Sequence, residues 1–215
     1  MRPEPTFDLF EEGRRRIILD PGAVLLGGFA TGEGDALAAA IEAVAEAAPF
    51  RHLETPGGRR MSVAMTNCGA RGWVSDRRGY RYAEVDPLTG RRWPAMPPLF
   101  RDLARRAAVE AGFEGFAPDV CLINRYAPGA RLSLHQDRDE GDLGAPIVSV
   151  SLGLPARFLW GGPSRSRRPN RVPLHHGDVV VWGGPSRLHF HGVDPVEEGI
   201  SELGGLRYNL TFRRS

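Results

Sequence analysis

Two stretches of the chain repeat their apolar residues at helical spacing. Leu37, Ile41, Val44 and Ala48 recur every three to four positions, which predicts an amphipathic helix over residues 35–48. Leu99, Leu103 and Ala107 form a second stripe behind Pro98, and Gly112 supplies a stop, so another helix is predicted over 97–112. Between them, residues 54–96 are rich in Gly, Arg and aromatics and show no long apolar period. That composition reads as hairpins and loops, a lid rather than core. From Val120 the period changes to two. A run over 120–126 ends at the turn signal Pro128-Gly129, and short strands are predicted over 133–137, 147–154, 158–160, 178–182, 189–193 and 207–213. Many short strands punctuated by Gly and Pro, without alternating helices, predict an α+β, mainly β chain. The expected architecture is an antiparallel sandwich or double-sheet jelly roll with two N-terminal helices on its outer face.

A length of 215 residues fits one domain with its own core. Its expected parts are an N-terminal extension and helix (1–53), a lid (54–96), a second helix (97–119) and a catalytic core (120–215). Hydrophobic residues at 41% and charged residues at 25% place the chain among soluble globular proteins and away from membrane spans and disorder. The start, Met1-Arg2-Pro3-Glu4-Pro5, lacks the layout of a signal peptide, and Cys68 and Cys121 form no CxxC pair. A cytoplasmic setting is expected, and nothing in the sequence asks for more than a monomer. A net charge of +2 does not announce a nucleic-acid binder. All 28 basic residues are Arg, however, and none is Lys. Genomic base composition is the plain reason, but it makes every cationic contact a planar fork suited to phosphate or carboxylate.

The chemistry concentrates in three segments. In His135-Gln136-Asp137, residues i and i+2 of a strand share a face, so His135 and Asp137 can grip one ion. His191, on a later strand, completes two imidazoles and one carboxylate. A structural zinc site wants a fourth Cys or His, and neither cysteine has the spacing to serve. Three ligands with open positions suit catalytic iron(II). His189 competes with His191 as a ligand, while His175 and His176 read as strand-end surface residues.

The third segment is the closing run from Arg207 to Arg213. Its odd positions, Arg207, Asn209, Thr211 and Arg213, are polar; Tyr208, Leu210 and Phe212 between them are apolar. The apolar face must be buried, so the polar face is either outermost or lines a cavity. Asn124 and Tyr126 share the same i, i+2 arrangement. Two guanidiniums, an amide and a phenol suit a small molecule with a carboxylate at each end.

With these segments the chain resembles the AlkB family, bacterial branch, of iron(II)- and 2-oxoglutarate-dependent dioxygenases. The resemblance covers most of the chain. It rests on the stretch from Met61 to Gly69, on the His135–Asp137 segment, on Ser186-Arg187-Leu188 leading to His191, and on the complete RxNxTxR strand. It implies a double-stranded β-helix (jelly roll) with a nucleotide-recognition lid, with His135, Asp137 and His191 on iron. It further implies Arg207, aided by Tyr126 and Asn209, on the distal carboxylate of 2-oxoglutarate, and Arg213 and Asn124 at the chelating end. Trp73 and Tyr80 match positions that contact the substrate base and its backbone. Asp139, with Glu140 beside it, matches an acidic group near the base. Arg165 matches an outer-loop contact, in a segment crowded by Arg167, Arg168 and Arg171.

The implied activity is oxidative dealkylation of bases such as 1-methyladenine and 3-methylcytosine in single- or double-stranded DNA, with RNA a further candidate. Oxygen and 2-oxoglutarate are consumed, and succinate, carbon dioxide and formaldehyde are released. Such bases are cationic, so Asp139 and Glu140 suit them, and Trp73 can stack on the ring. Two alternatives stand beside this. The same iron chemistry could serve a protein or small-molecule substrate, with Trp73 and Tyr80 as core residues. A non-catalytic module could use Arg207 and Arg213 to hold an anion, which leaves the triad without a purpose.

Overall fold

The structure, a computed structural model, describes residues 15–215; the expected lack of a signal peptide at the start of the chain lies outside them. A first hairpin, β1 (Arg15–Asp20) and β2 (Ala23–Gly27), precedes helix α1 (Gly34–Ala47). Strands β3 (Arg51–Glu54) and β4 (Arg60–Gly69) follow, then the hairpin β5 (Gly72–Asp76) and β6 (Gly79–Ala83), and helix α2 (Pro98–Glu110). The remaining strands are β7 (Val120–Tyr126), β8 (Leu132–His135), β9 (Ile147–Gly153), β10 (Ala156–Trp160), β11 (Asn170–Leu174), β12 (Val179–Trp182), β13 (His191–Val193) and β14 (Arg207–Arg213).

They form an eight-stranded sheet in the order β1-β2-β12-β9-β14-β7-β4-β3, a four-stranded sheet in the order β11-β10-β13-β8, and the separate β5–β6 ribbon. Every pairing is antiparallel. This is the expected jelly roll, with both helices on the outer face of the larger sheet. There Leu37, Ile41 and Val44 of α1 and Phe100, Leu103 and Ala107 of α2 pack with Val148, Val150, Leu210 and Phe212. Alternation along each strand sends the next residues inward, so Leu25, Ile147, Leu122, Val180 and Trp182 meet Phe158, Trp160 and Val193 of the smaller sheet. A side chain of this size, fully buried, contributes about 1.5–3 kcal/mol. The two cores therefore fix the orientation of β14: Leu210 and Phe212 belong under the helices, and Arg207, Asn209, Thr211 and Arg213 point between the sheets.

Three expectations need correction. Residues 1–53 were assigned an extension and a helix, yet β1, β2 and β3 all belong to the large sheet, with a turn at Pro21-Gly22 (Gly22 φ 79°). Within the expected lid, β4 is a core strand between β3 and β7 whose residues Val63 to Cys68 are buried. What remains of the expected lid is the β5–β6 ribbon and its flanks. Finally, no strand was expected over 170–174, yet β11 lies there and, among the described residues, pairs with β10 alone. Its edge position tolerates Pro173, which interrupts the strand pattern in the sequence.

Candidate active site

β8 and β13 are short neighbours, and their register sets His191 directly opposite His135. Gly192 makes this approach feasible, since a Cβ there would lie 2.6 Å from the Leu132 carbonyl oxygen. The imidazole centroids are 4.4 Å apart. Asp137 lies just past the end of β8 and turns back between them, its Oδ1 3.5 Å from His135 Nε2 and its Oδ2 3.7 Å from His191 Nε2. One ligand atom from each of the three lies within 4.8 Å of the others. Nδ1 of His135 faces the Ser133 carbonyl at 2.9 Å, and Nδ1 of His191 faces the His189 carbonyl at 3.0 Å. A carbonyl only accepts, so each Nδ1 carries the proton and each Nε2 keeps its lone pair for a metal.

The protonation states agree. Burial raises the Asp137 carboxyl, but the Arg213 guanidinium and the two imidazoles overrule this and hold it well below the usual carboxylate range. Burial and the nearby His135 lower His191, which favours the neutral imidazole. His189, the competing ligand, stands outside the cluster. Its ring packs on Trp160 at 5.3 Å, and its Nδ1 is 3.7 Å from Asp20. His175 is exposed as expected, whereas His176 is largely buried and accepts the Gly153 N–H at 3.1 Å.

Behind the triad the inward face of β14 meets β7 and β9. Arg207 is 1% exposed. Its guanidinium donates to the Tyr208 carbonyl (3.2 Å) and the Ser151 hydroxyl (3.1 Å) and lies 5.4 Å from the Tyr126 ring centroid, with Nε left unpartnered. Among the described residues it forms no ion pair. A buried cation in that condition is costly unless a ligand supplies the anion. Burial pushes the Tyr126 phenol up to about 12, so it stays protonated and able to donate. The Asn124 amide donates to Asn209 Oδ1 (3.1 Å), while its own Oδ1 is buried without a partner. Asn209 differs from expectation. It also donates to Ser149 Oγ (2.8 Å) and the Val150 carbonyl (3.0 Å) and accepts from Thr211 (2.9 Å), so it braces Asn124 more than it offers a free contact. Arg213 reaches the triad, donating to Asp137 Oδ2 from Nη2 (2.7 Å) and Nε (3.1 Å).

The triad, Asn124, Tyr126, Arg207, Asn209 and Arg213 open into one cavity of about 720 Å³. Trp73 and Tyr80 also line it, stacked at 5.5 Å with 15° between their planes. The ribbon that carries them is tied to β4 by the buried Asn67, whose amide bonds both the N–H and the carbonyl of Trp73 (3.0 and 3.1 Å). Asp139 is exposed at the cavity edge, and Arg165 reaches over the Phe190 ring at 6.0 Å. Arg59, Arg60, Arg131 and Arg138 complete a basic lining. Glu140 departs from its expected place. It is buried, and its carboxylate is engaged by Tyr82 and Arg187. The sequence reading passed over Ser149, Ser151 and Tyr82, and gave Arg187 no role beyond its place in the Ser186-Arg187-Leu188 segment. The two serines carried a readable signal, small polar residues at alternate positions of an otherwise apolar strand.

The orphaned Arg207 Nε, two imidazoles with free Nε2 and an ionised Asp137 fit an iron(II) ion and a dicarboxylate side by side. A family model described as the 2OG-Fe(II) oxygenase superfamily matches residues 22–213. The alpha-ketoglutarate-dependent dioxygenase AlkB of Salmonella typhimurium is 57% identical over 210 residues, 97% of each chain. The chain belongs to the AlkB family. It is an Fe(II)- and 2-oxoglutarate-dependent dioxygenase. A more distant relative, the DNA N(6)-methyladenine demethylase ALKBH1D of Arabidopsis thaliana, is 30% identical over 239 residues, 98% of this chain and 53% of its own. Among solved structures, "The structure of OsALKBH1" superposes with a TM-score of 0.82 at 30% identity, covering 94% of this chain and 100% of that one. The AlkB-family fold thus accounts for nearly the whole chain.

Proposed function

We propose that this enzyme removes alkyl groups from damaged bases such as 1-methyladenine and 3-methylcytosine in DNA, single- or double-stranded, and in RNA. The observation that carries this reading is the Trp73–Tyr80 stack lining the same cavity as the His135, Asp137 and His191 cluster. An aromatic pair offers a flat apolar face to a base taken out of its helical stack, an extrusion that costs a few kcal/mol and least for damaged or unpaired bases. Asp139, free at the cavity edge, favours a cationic ring over a neutral one. Arg165 and the basic lining suit the flanking phosphates.

In this reading His135, Asp137 and His191 hold iron(II). Arg207, with the Tyr126 phenol, takes the far carboxylate of 2-oxoglutarate, and Arg213 with the braced Asn124 serves the near end. When bound, iron(II) and 2-oxoglutarate supply the oxidising power that, with oxygen, hydroxylates the alkyl carbon and yields succinate and carbon dioxide. The hydroxyalkyl group then leaves as an aldehyde: the carbon–nitrogen bond breaks with its electron pair going to the ring nitrogen, which neutralises the cationic base, and the hydroxyl proton goes to solvent. The protein contributes placement, electrostatics and a cavity that shields the reaction from bulk water. The site is complete within one chain, which supports a monomer, and the two unpaired, buried cysteines support a cytoplasmic setting. Among the described residues no helix is long and apolar enough to cross a membrane. The test is formaldehyde release from a methylated oligonucleotide in the presence of iron(II), 2-oxoglutarate and oxygen. Release is expected from the methylated strand and not from its unmodified twin; succinate without formaldehyde from any methylated strand would move the substrate elsewhere.

A further inference from the structure

Behind the metal ligand Asp137, two acids and two guanidiniums close a buried circuit. Asp137 and Glu140 face Arg187 and Arg213, with side-chain exposures of 7%, 2%, 4% and 6%. Arg213 grips the Asp137 carboxylate and lies 3.4 Å from Glu140 Oε1. Arg187 donates to Glu140 Oε2 (3.2 Å), to the main-chain carbonyl of Asp137 (2.6 Å) and to that of Ala145 (3.0 Å). Asp137 is thereby held at both its carboxylate and its backbone, and Glu140 bridges the two groups that hold it. The four charges cancel, so Glu140 has none to spare for a cationic base. Buried ion networks give little stability over apolar packing of the same volume; what they give is a defined geometry.

The circuit has one further member. Tyr82 lies opposite Trp73 in the β5–β6 ribbon, and its hydroxyl donates to Glu140 Oε1 at 2.8 Å and lies 3.5 Å from Arg213 Nη1. The ribbon that carries the Trp73–Tyr80 stack is therefore hydrogen-bonded to the residues that orient the metal ligand. A charge-assisted bond of this kind is strong and directional.

We infer that Tyr82 and Glu140 are positioning residues that couple the base-stacking ribbon to Asp137 and Arg213. Seating a base against the stacked aromatics sets the geometry at the iron and 2-oxoglutarate end of the cavity. The inference rests on the dealkylase reading above. Coupling is reciprocal: if a seated base favours the ordered 2-oxoglutarate end, then 2-oxoglutarate must tighten the binding of a methylated strand by the same factor.

The test needs no turnover. With manganese(II) in place of iron and oxygen excluded, the affinity for a short methylated oligonucleotide is measured with and without 2-oxoglutarate. In the wild type 2-oxoglutarate should tighten binding roughly fivefold, about the factor of one ordinary hydrogen bond. In Tyr82→Phe, which loses only the hydroxyl, the factor should fall to about one while each ligand alone binds within about twofold of wild type. Glu140→Gln keeps the shape and removes the charge, and it should uncouple in the same way. Under turnover, both variants should make more succinate per formaldehyde than wild type. A wild type without coupling, or a Tyr82→Phe protein that keeps it, overturns the inference. A wild type that neither binds the methylated strand nor releases formaldehyde from it overturns the dealkylase reading instead.

Discussion

Arg207→Met removes a buried cation whose counter-charge arrives with the ligand, and the two halves of that statement have separate signatures. Without 2-oxoglutarate, the wild type carries the desolvation cost of the guanidinium, several kcal/mol for a buried ion. Against this stand its bonds to Tyr208 and Ser151, each contributing about 1.5–3 kcal/mol because the donor is charged, and its contact with Tyr126. The balance predicts that Arg207→Met lies within about 2 kcal/mol of wild type in the absence of ligand. With manganese(II) present and 2-oxoglutarate at 100 times the wild-type Kd, wild type should gain about 2.7 kcal/mol. Loss of a charged hydrogen-bond partner costs roughly 1.5–3 kcal/mol of binding, so the variant should gain only about 0.3–1.4 kcal/mol at the same concentration. Thermal melts read both effects, at about 2–4 °C per kcal/mol for a chain of this length. A variant that melts well below wild type without ligand, yet keeps the full ligand-induced rise, would refute the assignment of Arg207 to an incoming carboxylate.

Other outcomes follow from the same geometry. His135→Ala and His191→Ala should abolish turnover and weaken manganese(II) binding in a direct titration, because each removes a ligand from a three-ligand site. Asp137 has a folded pKa held below its ordinary 3.8, so its stabilisation is complete above about pH 4 and is lost as pH falls through the depressed value. The stability gap between metal-free wild type and Asp137→Asn should narrow as pH falls below about 4, as followed by urea melts. Trp73→Ala should reduce formaldehyde release from methylated DNA and spare the slow turnover of 2-oxoglutarate without substrate; equal loss of both would mark Trp73 as core packing. Leu103→Ala, under α2 and 0% exposed, should cost about 2–5 kcal/mol of stability with little change in activity per folded molecule.

The chemistry was more legible than the architecture around it. In Arg207 to Arg213, alternation alone separated a core face from a polar face, and Leu210 and Phe212 do pack beneath the helices while Arg207 lines the cavity. His135 and His191 needed only the pairing of two strands, and register sets them opposite each other. The strands that escaped notice were those whose signals are ambiguous over short windows. β4 is a nearly continuous buried run in a Gly- and Arg-rich neighbourhood, β1–β2 is announced only by Pro21-Gly22, and β11 contains Pro173. Glu140 shows a different limit. A carboxylate next to an exposed acid reads as a solvated turn or a base contact, and only the convergence of Tyr82, Arg187 and Arg213 from distant segments reveals its burial. The unpartnered state of Arg207 Nε and Asn124 Oδ1 is likewise a property of the folded site, invisible in any one strand.

The most direct test of the account is the stoichiometry of turnover on a single-stranded oligonucleotide bearing one 3-methylcytosine, with iron(II), oxygen and 2-oxoglutarate supplied. Close to one formaldehyde and one succinate are expected per methyl group lost, and little of either from the unmodified strand. Succinate formed at the same rate with and without the methylated strand, and no formaldehyde, would contradict it.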